Sequence, residues 1–384
     1  MPWIERQVKM LREEFISRSS EEDRNISALC EEYGISRKTG YKWIKRHLED
    51  GCLEDRSKRP LRISSKTADW VEKLIIETRH ERPRWGAQKI WSYLDRKGYS
   101  MPCVRTINNI LKRNDLISQE ASLARKPFKR FEREHNNELW QADFKGDFLM
   151  GNGKRCYPLT ILDDHSRYAL LIEAKPDQKD VQSSFVRIFR LFGLPQAILT
   201  DNGPSFAGSQ GGYTQFERIL MDQDILPIHG RIYHPQTQGK IERFHRSLKN
   251  EVLYLRNIHC LDEAAWTFEK WQQIYNFERP HSALGNKCPA DVYSASSRQF
   301  QDSVPEYDYN TEHRMYRINN WGFLRFAKYQ MFISETFRDT YVQLIPVESE
   351  DIVLVCYRNF VIAKIDVTCG ELRSRKAYRL DNSV

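Results

Sequence analysis

The sequence contains no paired-cysteine motif and no long apolar run. Its eight cysteines are scattered over 384 residues without a C-x-x-C pair, which argues against a disulfide framework and against a structural zinc site. No apolar segment approaches the roughly 18 to 20 residues that a membrane-spanning helix needs. The first residues also lack the pattern of a secretory signal. These absences predict a soluble protein inside the cell, with reduced thiols and no membrane partner.

The composition favours several domains and an anionic partner. A chain of 384 residues with 40% hydrophobic content is long enough to bury more than one core, and its length predicts two to four domains. Lysine and arginine number 60 against 52 acidic residues, which gives a net charge of +8. A basic balance of this size favours association with polyanions without proving it.

Two aspartates stand where short strands are predicted. Residues 139–148 alternate apolar and polar side chains, which predicts a strand with Asp143 in its interior. Residues 195–204 form a short apolar run closed by a turn signature, so Asp201 is predicted at the end of a buried strand. Taken alone, Asp143 also fits an edge-strand acid and Asp201 a turn residue. In open α/β sheets, however, strand ends are where sites are built.

A third acid, Glu242, stands at the start of a segment with helical periodicity. The apolar residues that recur at helical spacing and predict its buried face are Ile241, Phe244, Leu248, Val252 and Leu255. Glu242 flanks this face, and Arg246 and Lys249 follow on about the same stripe. A surface salt-bridge stripe explains the pattern equally well. Three acids on two strands and one helix would, however, form an oxygen-rich site for hard divalent cations.

Five short motifs accompany the three acids. They are Trp-Gln-Ala-Asp at 140–143, Leu-Asp-Asp-His-Ser-Arg at 162–167, Thr-Asp-Asn-Gly at 200–203, His-Pro-Gln-Thr-Gln-Gly-Lys-Ile-Glu-Arg at 234–243 and Tyr-Asn-Phe-Glu-Arg-Pro-His at 275–281. In this order, the acids and motifs resemble the retroviral-integrase superfamily, and most closely the insertion-sequence transposases. The interval between Asp201 and Glu242 is somewhat longer than the commonest one in the family. A Gly-rich insert at 207–212 accounts for the difference and is predicted to be a loop.

The resemblance implies a catalytic acidic triad of Asp143, Asp201 and Glu242 on a ribonuclease-H-like fold. In these enzymes the triad binds two Mg²⁺ ions, which Mn²⁺ can replace. Lys249 matches the helix lysine that contacts the DNA end, and Arg246 is a further candidate DNA contact. The implied partners are double-stranded DNA, as element ends and as target, and other copies of the chain in a dimer or larger assembly. The implied location is the bacterial cytoplasm, in association with the nucleoid.

The implied reaction needs no covalent enzyme intermediate, because no serine, tyrosine or cysteine nucleophile motif is present. Water first frees the 3′ end of the mobile element, and that 3′-hydroxyl then attacks target DNA. The predicted function is thus a DNA transposase that binds the terminal inverted repeats of its element, cleaves the 3′ ends and joins them to target DNA. Two alternatives stay open: a metal-dependent nuclease of the same fold, and a non-catalytic sequence-specific DNA-binding regulator.

Residues 1–55 and 64–118 are predicted to form two helix-turn-helix units. In the first, Gly34 breaks one helix, Ser36 caps the next, and Tyr41, Ile44 and Leu48 are expected to pack inward. The side chains expected to face a DNA groove are Arg37, Lys38, Lys42 and Arg46 in the first unit and Arg105, Asn109 and Lys112 in the second. Plain helical hairpins with solvated basic faces are the alternative for both units.

The rest of the chain divides into a linker, a catalytic core and a terminal domain. Residues 119–137 are a basic linker in which Arg125 and Lys126 are candidate phosphate contacts, with a disordered connector as the alternative. Residues 138–293 are predicted to form an α/β ribonuclease-H-like core with a mixed sheet. Regularly spaced short strands in 314–384 predict a small antiparallel β-barrel that binds DNA or bridges protomers.

Two further groups of residues in the core have open interpretations. Asp163 and Asp164 lie at a predicted junction between two strands and are interpreted as turn residues rather than as metal ligands. Residues 279–281, Arg-Pro-His, either contact the target strand or simply end a helix. Asn202 and His234 either position DNA or the attacking water, or stabilise loops.

Overall fold

A computed structural model describes residues 2–21, 24–55, 67–117, 133–207, 212–230, 239–255, 257–347 and 351–380. The chain divides into two compact units, Met1–Lys66 and Thr67–Val384. Within the ranges described, no helix combines the length and the apolar character needed to cross a bilayer.

The first unit is a three-helix domain. Helices α1 (Pro2–Ser19), α2 (Ile26–Glu32) and α3 (Arg37–Asp50) enclose a small apolar core that includes Phe15, Leu29 and Trp43. The predicted cap is present, because the Ser36 hydroxyl accepts a hydrogen bond from the backbone N–H of Thr39 at 3.2 Å.

The predicted inward face of α3 is wrong in part. Tyr41 and Leu48 are 56% and 80% exposed, whereas Gly40 and Trp43 are buried. The reason is that α3 approaches α1 and α2 at Gly40, where the absence of a side chain permits close contact with Cys30 and Phe15. The close approach of the backbone, rather than the size of the apolar side chains, decides which stripe is buried.

A second set of three helices opens the second unit. Helices α4 (Asp69–Glu81), α5 (Ala87–Arg96) and α6 (Val104–Arg113) surround a core that includes Ile75, Trp85 and Ile107. The three predicted helices are therefore present. They are attached to the following α/β domain by ion pairs between Arg82 and Glu278, at 2.9 Å, and between Arg96 and Asp291.

The α/β domain is built on a six-stranded mixed sheet. Its strands are β1 (Trp140–Phe144), β2 (Phe148–Leu149), β3 (Arg155–Asp163), β4 (Ala169–Lys175), β5 (Ala197–Thr200) and β6 (Leu226–His229). Strand β3 pairs antiparallel with β1 and β4, while β5 lies parallel to both β1 and β6. The single strand predicted over 139–149 is divided, because Gly146 turns the chain with a φ of +86°. Strand β6 was not predicted, since Pro227 argues against a strand unless it lies at a sheet edge, as it does here.

Helices cover both faces of this sheet. Helix α7 (Val181–Phe192) and helix α8 (Gln215–Asp222) pack on one face, and helix α9 (Gly239–Leu248) and helix α10 (Leu261–Gln273) pack on the other. Helix α9 continues as a π-helical turn at Lys249–Leu253. The buried face predicted for this helix is confirmed up to Val252, but Leu255 is 50% exposed. The wider π turn changes the angular phase of the helix, which rotates Leu255 toward solvent.

The carboxy-terminal domain consists of antiparallel strands. They are β7 (Met315–Arg317), β8 (Phe323–Phe326), β9 (Tyr329–Phe332), β10 (Tyr341–Pro346), β11 (Ile352–Tyr357), β12 (Phe360–Asp366), β13 (Glu371–Ser374) and β14 (Tyr378–Arg379). One sheet has the order β13-β12-β11-β10-β7 with β14 beside β12, and β8 and β9 form a separate hairpin. The predicted antiparallel architecture is confirmed. No strand pairing among the residues described here closes the sheet into a barrel.

Replacement of Gly40 by alanine tests the close approach that fixes α3. A Cβ atom at this position would meet the Cys30 sulfur and would lie 3.0 Å from Phe15 Cζ. We therefore expect Gly40→Ala to lower the free energy of unfolding of the first unit by about 1 to 2 kcal/mol, although Gly→Ala stabilises an open helix by roughly 1 kcal/mol. Hydrogen exchange of the α2 and α3 amides would measure this, with Lys45→Ala as the control on exposed α3 surface. A stabilised Gly40→Ala variant would show that the helices are not in close contact.

Candidate active site

Asp143 lies within electrostatic reach of two further carboxylates near one end of the mixed sheet. Asp143 is in β1, Asp201 directly follows the parallel neighbour β5, and Glu242 lies in the first turn of α9. Burial raises the pKa of the Asp143 carboxyl to about 7, and the charges of Asp201 and Glu242 add to this rise. The structure therefore puts Asp143 near each of the other two acids predicted from the sequence.

A hydroxyl bridge joins the strand of Asp143 to the helix of Glu242. The Thr160 hydroxyl donates to the Asp143 carbonyl oxygen at 2.9 Å and lies 2.7 Å from His245 Nε2. Because a hydroxyl has one proton, His245 Nε2 must be the donor in the second bond. Burial lowers the pKa of His245 to about 3, so the ring is neutral, and its Nδ1 lies 3.8 Å from Asp143 Oδ2. No motif in the sequence indicated this bridge, although His245 follows Glu242 by one helical turn.

A second network fixes the amino-terminal end of α9. Asp164 Oδ1 accepts a hydrogen bond from Gln141 Nε2 at 2.7 Å, and its other oxygen forms an ion pair with Lys240. Gln141 Oε1 in turn accepts from the backbone N–H of Ile241 at 3.2 Å. Asp163 is a turn residue as predicted, since it accepts from the Ser166 N–H at 2.8 Å. Asp164 has a wider role, because it ties α9 to β1.

The loop that carries Asp201 is held by its neighbours on β6. Asp201 Oδ1 accepts from the Gly203 N–H at 3.0 Å, and Asn202 Nδ2 donates to the Gly230 carbonyl at 2.9 Å. The contact of Asn202 is therefore a loop-stabilising one. His229 Nε2 lies 2.8 Å from Glu217 Oε1. Burial opposes the charged form of His229, but the hydrogen bond and the charge of Glu217 outweigh it, so the pKa of His229 is raised. His234 lies outside the described residues.

Two lysines from the elements of Asp143 and Glu242 lie near each other. Lys249 and Arg246 are exposed on the helix of Glu242, as predicted. Lys145, two residues after Asp143, was not singled out in the sequence. Burial lowers the pKa of Lys145, and the nearby charge of Lys249 lowers it further. The two ammonium groups therefore lie within electrostatic reach of each other.

The Arg-Pro-His segment at 279–281 supports this helix from inside the domain. Arg279 is only 8% exposed, and its guanidinium donates to Glu251 Oε1 at 2.8 and 3.1 Å and to Ser247 Oγ at 3.2 Å. His281 is half-buried, and burial followed by the charge of Arg279 holds its pKa well below the usual range. The contacts of Arg279 are therefore structural ones with the helix that follows Glu242.

The other candidate DNA-binding residues are distributed over two helices and a segment that is not described. Arg46 is half-buried, and its guanidinium donates to the Glu54 carbonyl at 2.8 Å. Arg125 and Lys126, with most of the basic linker, lie outside the described residues. The candidates with exposed side chains are Arg37, Lys38 and Lys42 on α3 and Arg105, Asn109 and Lys112 on α6.

The chemistry of the acidic site fits a hard divalent cation. Carboxylate oxygens are the ligands that Mg²⁺ prefers. The raised pKa of Asp143 reflects burial first and the negative charges of Asp201 and Glu242 second, and a cation would relieve the second effect. In the described part of the chain, however, no three His, Cys, Asp or Glu side chains converge closely enough to hold a metal ion. Convergence of the three carboxylates on a cation therefore requires adjustment of side chains or of helix α9.

Known protein families match most of this architecture. Two families described as Integrase core domain match residues 133–235 and 223–289. A Helix-turn-helix domain matches residues 11–60, and a Homeodomain-like domain matches 39–111. An uncharacterized 31.7 kDa protein of insertion element IS407 from Burkholderia multivorans is 30% identical over 60% of this chain and 82% of its own length. The chain belongs to the insertion-sequence transposases of the retroviral-integrase superfamily.

Other transposases and integrases show weaker similarity. The transposase InsD for insertion element IS2 of Escherichia coli is 25% identical over 60% of this chain and 84% of its own length. The solved catalytic core domain of HTLV-2 integrase, in complex with magnesium, is 20% identical over 41% of this chain and 97% of its own length, with a TM-score of 0.32. The amino-terminal part of this transposase thus carries helix-turn-helix domains, and its centre carries an integrase core.

The carboxylate cluster predicts how the stability of the transposase depends on pH. Folded Asp143 keeps its proton up to about pH 7, whereas its ordinary pKa is 3.8. Between these values the folded state binds more protons, so the free energy of unfolding falls as pH rises, by at most about 1.4 kcal/mol per pH unit. With divalent cations chelated, we expect Asp143→Asn to lose this dependence and to exceed the wild type by about 1 to 3 kcal/mol at pH 8. Urea titrations of the wild type and the variant in parallel would measure this difference. A lower stability of Asp143→Asn than of the wild type at pH 8 would contradict the explanation.

Removal of the Arg279 guanidinium tests the support of the helix that follows Glu242. Arg279→Ala leaves Glu251 charged and almost buried, and we expect a loss of about 3 to 5 kcal/mol in the free energy of unfolding. Arg187→Ala is the matched control, because Arg187 pairs with Glu173 on the surface and its loss costs at most about 1 kcal/mol. Chemical denaturation of both variants gives the comparison, and equal losses would contradict a buried bridge at Arg279.

Proposed function

We propose that this transposase is a Mg²⁺-dependent polynucleotidyl transferase that cleaves the 3′ ends of its mobile element and joins them to target DNA. The observation that carries the proposal is the burial of Asp143 within reach of the charges of Asp201 and Glu242 at one end of the sheet, in a chain with an integrase core. A buried carboxyl beside two further acids destabilises the fold. Binding of cations by these acids would offset that electrostatic cost.

The three carboxylates would hold the cations. Their all-oxygen donor set suits Mg²⁺ or Mn²⁺, and the charge that Asp201 and Glu242 impose on Asp143 favours the binding of positive charge. Two bound ions would stabilise charge on the attacking and leaving oxygens of a phosphodiester. HTLV-2 integrase, whose catalytic core was solved in complex with magnesium, is a precedent for the choice of metal.

The side chains of the protein position the site and the substrate. Thr160 and Asp164 hold β1 and α9 together, so Asp143 and Glu242 are kept on facing elements. Lys145, Arg246 and Lys249 would bind the phosphates of a DNA end. The helix-turn-helix domains would read the terminal inverted repeats through exposed polar side chains on α3 and α6, with Arg125 and Lys126 on backbone phosphates.

The proposed reaction has two displacements at phosphorus. In the first, the oxygen of water bonds to the phosphorus next to the element end, and the bond from phosphorus to the 3′ oxygen breaks, which leaves a free 3′-hydroxyl. In the second, that hydroxyl bonds to a target phosphorus and a target 3′-hydroxyl leaves. Each step exchanges one phosphorus–oxygen bond for another, so no oxidant, reductant or nucleotide cofactor is consumed.

The arrangement of domains and copies belongs to the same proposal. We assign DNA binding to 1–55 and 64–118, a basic linker to 119–137, catalysis to 138–293 and a small β-barrel to 314–384. Because a transposase must hold two element ends, we propose that it works as a dimer or larger assembly on DNA. A relation to bacterial insertion elements supports action on the DNA of the nucleoid.

Replacement of Glu242 by glutamine tests the proposed chemistry. The variant keeps the shape of the side chain but loses its charge, so we expect 3′ cleavage and strand transfer to fall by at least about 100-fold, roughly 2.7 kcal/mol of transition-state stabilisation. Binding to the DNA flanks of the element should change by less than about threefold. The assay uses purified full-length protein, Mg²⁺ and labelled flanking DNA. Glu269→Gln, an exposed site on helix α10, is the matched control.

The same assay separates the alternatives. Nicked 3′ ends without joined products would favour a nuclease of the same fold. Binding of the flanks by both proteins with no reaction in Mg²⁺ or Mn²⁺ would favour a DNA-binding regulator. Loss of binding together with chemistry in Glu242→Gln would mean that Glu242 has a structural role.

A further inference from the structure

We propose that Glu217 and His229 are positioning residues that fix the backbone of Asp201 for metal binding, and that the carboxy-terminal domain anchors this pair. The inference rests on the proposed metal-binding role of Asp201. Neither residue belongs to the motifs found in the sequence. Their role follows from a series of hydrogen bonds that runs from the carboxy-terminal sheet to the end of β5.

The series ends at the carbonyl of Asp201. Strands β5 and β6 lie parallel, and Thr200 is the register partner of His229. His229 Nδ1 lies 3.1 Å from Thr200 Oγ1 and 3.4 Å from the Asp201 carbonyl oxygen. The imidazole therefore contacts the chain on both sides of the peptide bond that leads into Asp201. Rotation of the ring would break both of these contacts.

Glu217 fixes the orientation of the ring. Its Oε1 is 2.8 Å from His229 Nε2, and its Oε2 accepts hydrogen bonds from the Thr214 N–H at 2.7 Å and the Thr214 hydroxyl at 2.9 Å. Glu217 is only 4% exposed and lies in the first turn of α8, where its backbone N–H completes a capping box with Thr214. Both carboxylate oxygens are thus engaged, so the side chain has little freedom to move.

Tyr213, next to Thr214, connects this cap to the carboxy-terminal domain. Its N–H donates to Ser334 Oγ at 3.0 Å, and its carbonyl accepts from Thr336 Oγ1 at 2.5 Å. Its phenol oxygen lies 2.7 Å from the Ile362 carbonyl oxygen and 3.0 Å from that of Arg375, so its single proton is shared between two acceptors. The tyrosine is 7% exposed and packs within the core of the carboxy-terminal domain. Tyr213, the residue after the Gly-rich insert, therefore connects helix α8 to the carboxy-terminal domain.

These contacts predict a specific effect on the affinity for metal. Some residues hydrogen-bond to a metal-binding residue without contacting the metal themselves. Removal of such a residue typically lowers metal affinity about 10- to 100-fold. We expect Glu217→Ala and His229→Phe each to weaken Mn²⁺ binding by about 10-fold or more. Glu217→Gln can still accept from Thr214 and bond to the ring, so it should stay within about threefold of the wild type.

The experiment titrates Mn²⁺ alone into the full-length protein and follows the free ion by electron paramagnetic resonance. A second readout is the Mg²⁺ concentration for half-maximal 3′ cleavage, which should rise by a similar factor while the rate at saturating Mg²⁺ recovers. Tyr357→Phe is the matched control, because it removes a hydrogen bond to Asp222 at the same domain contact but away from the series. We expect wild-type behaviour from it.

Asp201→Asn separates failure of this inference from failure of the proposed function. If Asp201→Asn binds Mn²⁺ like the wild type, the assignment of the metal site itself is wrong. If it binds weakly while Glu217→Ala and His229→Phe bind normally, the positioning role is wrong. If Glu217→Gln and Tyr357→Phe weaken binding as much as Glu217→Ala does, the effect is one of general stability, and the inference is overturned.

Discussion

A buried carboxyl beside two further acids is the constraint that the rest of the structure must satisfy. The raised pKa of Asp143 reflects burial together with the charges of Asp201 and Glu242. Both effects disfavour the ionised form of Asp143, and they oppose folding at neutral pH unless a rigid framework keeps these elements in place. Each acid is carried by a different element, β1, β5 or α9, so the framework has to fix three elements against one another rather than a single loop.

Polar contacts outside the acidic cluster supply that rigidity. The Thr160 hydroxyl joins β1 and α9, Asp164 ties the start of α9 to Gln141, and His229 holds the end of β5. Buried polar networks of this kind specify one arrangement of their elements, because any displacement leaves groups without partners. Apolar packing alone would tolerate small slides of α9 over the sheet, and such slides would move Glu242 relative to Asp143.

The periodic parts of this chain could be predicted from the sequence, and the contacts between distant residues could not. Alternation around Asp143 and the helical spacing from Ile241 to Val252 gave the elements that carry the acids. No periodic signal in the sequence marks the π-helical turn that begins at Lys249. Strand β6 was not predicted because it contains Pro227, which a strand tolerates only at the edge of a sheet. Thr160 and His245 are 85 positions apart, so nothing local in the sequence joins them. The buried stripe of α3 was misassigned because Gly40 sets it through close backbone contact.

Tyr213, which follows the Gly-rich insert between Asp201 and Glu242, connects the α/β domain to the carboxy-terminal domain. Its backbone and phenol bond to residues of that domain. Thr214, the next residue, forms a capping box with Glu217, which contacts His229 at the end of β6. Through these hydrogen bonds we expect a change in the carboxy-terminal domain to reach the strand end of Asp201, and we count that domain as part of the framework that holds Asp201.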